Sequence, residues 1–183
     1  SFVGKLNSAK GYDLFGNAII KILDKHKSWT SHIYGDEPRE KLEYKHSRLK
    51  MFGFRSNNFI LDDLKKISIS VVCSFGRTSL EAASRGSAVI VSNRGGLPET
   101  TPHSIKLKNL SSDAVFREIN NLITNNKRLK KLQKKNYQSF KFTHKFIANI
   151  IDKIRNTISI NKNINLINVK GNKIYKIIHL TNF

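Results

Sequence analysis

The residues best suited to chemistry in this chain lie in short segments rich in glycine and charge. Residues 4–11 carry Lys5 and Lys10 between two glycines, residues 53–58 carry Arg55, and residues 74–78 carry Arg77 in the run Ser-Phe-Gly-Arg-Thr. Two further segments, 35–40 and 93–100, contain Gly35 through Glu40 and the turn Gly95, Gly96, Leu97, Pro98, Glu99. Two lysines and a glycine-opened turn suit a diphosphate, because ammonium groups and free backbone N–H groups both neutralise phosphate oxygens. The turn through Phe75 and Gly76 leads into a helix that begins near Thr78, whose positive dipole end would face the same crevice. Glu81, one turn inside that helix, is placed to accept hydrogen bonds from sugar hydroxyls. Together these segments read as a nucleotide site. No metal is expected: the six histidines are scattered without a visible triad or metal partner, and the single cysteine, Cys73, reads as a small buried residue.

The elements that must hold these segments alternate in type. Residues 1–6, 30–35, 48–53, 68–73 and 88–92 read as strands, and 11–27, 57–67 and 78–85 as helices, the last closed by Gly86. Strands separated by helices at this spacing predict an α/β fold, a Rossmann-like, doubly wound parallel sheet flanked by helices. Ligands in such sheets bind outside the carboxyl ends of the strands, where the charged and glycine-rich segments fall. Beyond them a helical pattern starts at the basic run 127–135 and carries apolar positions from Leu129 to Ile154.

Charge is strongly asymmetric. The 183 residues hold 33 Lys+Arg against 13 Asp+Glu, for a net charge of +20, and residues 101–183 alone carry 17 basic and 3 acidic side chains. Such an excess favours phosphate-rich partners through counterion release. The chain, however, shows neither an aromatic RNA-binding signature nor helix-turn-helix punctuation, and its 22 Ile and 19 Asn indicate a codon bias that fills surfaces with lysine. Nucleic acid is therefore not expected as a partner. The run 127–135 reads either as a solvated face or as a peripheral contact with an anionic membrane, worth about 1 kcal/mol per basic residue near such a surface. No apolar run reaches the ~18 residues of a membrane span, and SFVGKLNSAKG has no signal-peptide design, so a cytoplasmic location is expected, peripheral at the inner face of a membrane.

FVGKLNSAKGYDLF, YGDEPRE, MFGFRSNN and SFGRTSLEAASRGSAVIVSNRGGLPET resemble, in order and spacing, the C-terminal nucleotide-sugar-binding domain of GT-B glycosyltransferases of family 4 (group 1). The resemblance runs from Ser1 to about Arg155. It implies retaining transfer of a hexose from a nucleotide-sugar donor to a glycan or lipid-linked acceptor, commonly in lipopolysaccharide or surface polysaccharide synthesis, without a metal or other cofactor. By position, Lys5 falls where the family usually has arginine and Lys10 is the lysine before glycine; both would meet the donor diphosphate. The Arg-to-Lys change keeps the charge but loses the planar fork that grips phosphate bidentately. Gly76, Arg77 and Thr78 match the segment whose backbone meets the phosphates, Glu81 matches the ribose-binding glutamate, and Phe54 with Arg55 lies where the family packs the base. No catalytic residue is assigned.

The departures from the family pattern are local. Between Ser74 and Phe75 a typical member would have about five more residues, including an acidic one that contacts the donor sugar. Either the loop is lost or the chain as given omits it, and the intact flanks VVCS and FGRTSLEA favour omission. The resemblance also implies an N-terminal GT-B lobe that this chain does not include, so residues 1–155 are expected to bind donor without completing transfer. Residues 156–172 are expected to form a linker and 173–183 the first strand of a following domain. Competing readings are a degenerate, non-catalytic nucleotide-binding module and a GT-B sugar-nucleotide epimerase.

Overall fold

A computed structural model describes residues 1–141 and 143–160 of the chain. Six strands form two parallel three-stranded ladders. The first contains β1 (Phe2–Val3), β2 (Ser31–Tyr34) and β3 (Leu49–Met51); the second contains β4 (Ile69–Val72), β5 (Ala88–Ser92) and β6 (Ile105–Leu107). Ser1 links them: its amino group donates to the Ile69 carbonyl at 2.6 Å, and its carbonyl accepts from the Val71 N–H at 3.0 Å. The strand order is thus β3-β2-β1-β4-β5-β6, and its direction of growth reverses between β1 and β4. That reversal is the topological switch point at which doubly wound sheets bind ligands.

The central strands are apolar on both sides, as a parallel sheet covered on two faces requires. All four residues of β4 and all five of β5 are buried. Their side chains alternate between two cores. Val71 and Ile90 pack with Phe15, Ile19 and Ile22 of α1 (Tyr12–Lys25) and with Val115 and Ile119 of α5 (Ser112–Thr124). Val72, Val89 and Val91 turn the other way, toward Leu64 of α2 (Asn57–Leu64), Ala82 and Ala83 of α3 (Thr78–Ser84), and Leu97 of α4 (Leu97–Thr100). Arg48 closes the far end of α1, donating to the carbonyls of His26 at 2.8 Å and Trp29 at 3.0 Å and also to that of Leu23. A cation there satisfies carbonyls that have no helical partner.

Two regions differ from the sequence expectation. No element was expected between residues 101 and 126, where β6 and α5 lie. β6 is three residues long, too short for a readable period, whereas the start of α5 does carry a local signal: the Ser111 hydroxyl caps it by accepting from the Ala114 N–H at 3.2 Å. The continuous helical pattern after residue 126 is two helices, α6 (Asn126–Ser139) and α7 (His144–Ile160). Phe140 turns to extended backbone, with φ −66° and ψ 118°, and the Thr143 hydroxyl caps the restart by accepting from the Phe146 N–H at 3.2 Å.

The chain divides into two compact units, Ser1–Phe140 and Lys141–Phe183. Within the second, α7 presents a stripe of exposed apolar residues from Phe146 to Ile158. The helix continues to Ile160, five residues into the expected linker 156–172; the rest of that linker and the expected strand 173–183 lie outside the described residues. No helix among the described residues is long and apolar enough to cross a membrane.

Candidate functional site

The loop after β1 is built to bring a lysine back to the sheet. Asn7 caps a single 3-10 turn, Ser8–Lys10, its side-chain oxygen accepting from the Lys10 N–H at 3.0 Å. Gly11 then takes the left-handed conformation, φ 76°, and α1 begins at Tyr12. A β-carbon at Gly11 would stand 2.4 Å from the Cys73 Cβ. The turn therefore sits directly on the end of β4, which any side chain at that position would prevent.

Two carboxylates from the loop after β2 fasten this turn from outside. Glu40 accepts from the Ser8 N–H at 3.1 Å and from the Ser8 hydroxyl, and Glu37 accepts from the Asn7 amide at 2.9 Å. The Arg39 backbone N–H, with the Asn7 amide and the Lys5 charge, holds the exposed Glu37 carboxyl below its ordinary range. Gly35, φ 127°, lets the two loops touch, since a β-carbon there would fall 1.8 Å from the Gly4 carbonyl oxygen.

On the other side of the switch point the chain passes from β4 to α3 through Cys73, Ser74, Phe75, Gly76 and Arg77, with Ser74 joined directly to Phe75. No side chain caps α3, so its first backbone N–H groups are left for water or a ligand. A narrow groove results between β1 and β4, lined by Gly4, Lys10, Ser74, Phe75, Gly76 and Thr78. Among the described residues the Lys10 ammonium has no carboxylate partner. An unpaired cation, a glycine and a helix start face one cleft, an arrangement able to hold a phosphate group.

The expected site residues are thus only partly gathered. Lys10, Gly76 and Thr78 share the groove. Lys5 is exposed beside Glu37. Arg77 lies over its own helix with its Nε 3.7 Å from Glu81, whose side chain is largely buried. Phe54 is exposed on the β3–α2 loop, where the Arg55 guanidinium donates to the Phe54 carbonyl at 3.0 Å and lies 5.9 Å from the Phe59 ring centre. The sequence reading passed over Asn7, Ser8, Glu37 and Glu40. The Asn-Ser start of a helical turn is a local signal, but nothing in sequence pairs it with glutamates about thirty residues away.

Beside the groove, and sharing Cys73, Ser74 and Phe75 with it, is a wider cleft of about 350 Å3 that also involves Ser92 and Arg94. Another cavity, of about 420 Å3, opens at the amino ends of the strands near Trp29 and is lined by a mixture of aliphatic and polar residues. It lies at the end of the sheet away from these loops, so the two clefts at the carboxyl ends are the stronger candidates. No group of His, Cys, Asp and Glu able to hold a metal occurs among the described residues.

Comparison with known proteins follows the same outline. The family described as Glycosyl transferases group 1 matches residues 1–125. The C-terminal domain of a group 1 family glycosyl transferase, LpcC from Francisella tularensis, is similar in structure, with a TM-score of 0.68 and 24% identity over 78% of this chain and 86% of that domain. Anabaena Alr3699/HepE, solved in complex with UDP-glucose, matches with a TM-score of 0.64 and 20% identity over 86% of this chain and 48% of its own. Sucrose-phosphate synthase from Thermosynechococcus elongatus matches with a TM-score of 0.65 and 19% identity over 87% and 45%. These are likenesses of fold, and the chain spans less than half the length of the latter two proteins. No curated protein matches the sequence.

Proposed function

The chain belongs to the family of group 1 glycosyl transferases, and from that premise we propose that it is the donor-binding lobe of a retaining hexosyltransferase, one that uses a nucleotide diphosphate sugar without a metal. The observation that carries this reading is the groove at the β1–β4 switch point, where the unpaired Lys10 meets Gly76 and the uncapped start of α3. Lys10 neutralises charge on the diphosphate, both in the bound donor and as it leaves, while the backbone at Gly76, Arg77 and Thr78 supplies N–H donors. Lys5 adds a second, more loosely placed charge. Glu81 serves the ribose, and Phe54 with Arg55 the base. UDP-glucose bound to the similar HepE supports a nucleotide sugar as ligand.

The acceptor is a glycan or a lipid-linked sugar of a surface polysaccharide such as lipopolysaccharide, and a second lobe contributes its binding. An exposed basic face on α6, including Lys127, Lys130, Lys131, Lys134 and Lys135, supports a cytoplasmic enzyme that rests against an anionic membrane. Calorimetric titration of the chain with UDP, GDP and ADP tests the donor reading. Micromolar binding of one of them, abolished by Lys10→Ala and by Glu81→Ala, is expected. Failure to bind any of the three sinks it.

A further inference from the structure

A polar cluster between β2 and α2 takes no part in the phosphate groove. On β2, His32 donates from Nδ1 to the Asp63 carboxylate at 2.6 Å, and the Tyr34 hydroxyl donates to the same carboxylate oxygen. Asp63 stands in the last turn of α2; its side chain is 15% exposed and that of His32 16%, while Tyr34 is fully buried. Burial, and then the hydrogen bond to Asp63, raise the Tyr34 phenol, so its hydroxyl keeps its proton and remains a donor. Apolar side chains of similar volume would hold α2 on β2 about as well. What a satisfied polar cluster adds is orientation, because its hydrogen bonds fix the angle of each member as well as its distance.

The member whose orientation matters beyond the cluster is Tyr34. Its ring stacks on Phe52, with centres 4.9 Å apart and planes 13° from parallel, and lies 6.4 Å from the Phe59 ring at a steep angle of 63°. Phe52 and Phe59 also meet each other, at 6.1 Å. All three distances are those of attractive aromatic pairs. The two phenylalanines stand at either end of the segment 53–58: Phe52 immediately precedes Gly53, and Phe59 lies in the first turn of α2. Arg55 rests in turn over Phe59, 5.9 Å from its ring centre, and donates to the Phe54 carbonyl at 3.0 Å. Phe54 itself is 76% exposed, so its place is set by the backbone that carries it rather than by burial of its own ring. The contacts that run from Asp63 through Tyr34 to Phe52 and Phe59 thus end on the two residues assigned to the base.

We propose that Tyr34, clamped by Asp63 and His32, is a positioning residue for base recognition, holding Phe54 and Arg55 at the height and angle that admit one base and exclude the others. The inference rests on the donor-binding reading above, in which Phe54 and Arg55 serve the base. A ring and a guanidinium fixed relative to the sheet discriminate bases by size and by the acceptors on their edges. The same two groups on a loosened segment stack on any base, since every base has a π face.

Calorimetry on the full chain with UDP, GDP, ADP and inorganic pyrophosphate separates this inference from the reading beneath it. The parent is expected to favour one of the three nucleotides by about tenfold or more. Tyr34→Phe keeps the ring and removes only the hydroxyl. It is expected to cut that preference to within about threefold, by weakening the favoured nucleotide, and to leave pyrophosphate affinity within about twofold. Asp63→Asn, measured at a temperature where its melt shows it folded, is expected to behave in the same way. Ser111→Ala removes the cap of α5 and so lowers stability without touching the cluster. It is expected to keep the parent's preference, which shows that lost stability does not imitate the effect. A folded Tyr34→Phe protein with the parent's base preference overturns the inference while the donor-binding reading stands. An equal loss for pyrophosphate and nucleotides in that variant overturns it as well, since general damage to the fold would act in that way. A parent that binds the three nucleotides equally removes the base role of Phe54 and Arg55, and the inference with it, but leaves the phosphate groove in place. If no diphosphate binds, both readings fall together.

Discussion

Gly11 and Cys73 meet so closely that a single added methyl at Gly11 would lie 2.4 Å from the Cys73 Cβ and 3.0 Å from its sulfur. This contact sets the start of α1 against the end of β4, and so fixes the distance between the two loops that form the phosphate groove. Gly11 also has φ 76°, a conformation that favours glycine.

Gly11→Ala is therefore expected to destabilise the protein by about 2–3 kcal/mol, combining an unfavourable backbone conformation with overpacking. Urea denaturation of the variant measures it. Because the clash is with a β-carbon, Cys73→Ala in the same chain gives little relief, whereas Cys73→Gly recovers part of the loss. A Gly11→Ala protein as stable as the parent would refute the contact.

Burial, with a smaller contribution from the Asp13 charge, pushes the Cys73 thiol up to about 12. The folded state holds the proton while the unfolded thiol releases it near 8.5. Stability is thus full below about pH 8 and declines as pH rises from there toward 12. At pH 8 the native protein is expected to resist iodoacetamide, becoming reactive only in denaturant. Stoichiometric alkylation without unfolding, read by mass spectrometry, contradicts this.

Asp63 has the opposite pH dependence. Burial raises its carboxyl, but hydrogen bonds from Tyr34 and from His32, the latter at 2.6 Å, outweigh that and hold it below the ordinary carboxylate range. Its contribution is complete above about pH 4 and is lost as pH falls through the lower folded value. Asp63→Asn is expected to cost about 1–3 kcal/mol at pH 7, and the gap from the parent closes in acid. A gap that stays constant from pH 7 to pH 2 in thermal melts argues against the pairing.

Glu40 acts on the phosphate loop without entering the groove. Glu40→Ala removes two exposed hydrogen bonds to Ser8, so a drop of about threefold in diphosphate affinity is expected, with a melting temperature within about 3 °C of the parent. Unchanged affinity by calorimetry means the turn holds itself through Asn7 alone.

Much of the architecture is legible in local sequence because its causes are local. A continuous apolar run marks β5 and the apolar Val71 and Val72 mark β4, the 3.6-residue period marks α1, and glycines mark the turns at the carboxyl ends of the strands. The resemblance to glycosyltransferases rests on the same short motifs, and the match to the group 1 family over residues 1–125 accords with it. β6 is too short to show a period and the break between α6 and α7 lies inside one amphipathic pattern, whereas α5 was passed over although Ser111 offers a local start signal.

What the tertiary structure alone decides is which charges remain unpaired and where they face. Charge alone does not distinguish Lys5, Lys10, Arg55, Arg77 and Arg94, all cations in the loops at the carboxyl ends of the strands. Folding lays Arg77 beside Glu81, sets Lys5 beside Glu37 and Arg55 over Phe59, and leaves Lys10 and Arg94 without carboxylates in adjoining clefts. Glu37 and Glu40 acquire partners in the β1 loop only because β2 lies parallel to β1 and brings their carboxyl ends together. Residue type determines which groups can bind phosphate or carboxylate. Long-range packing determines which of them are still free to do so.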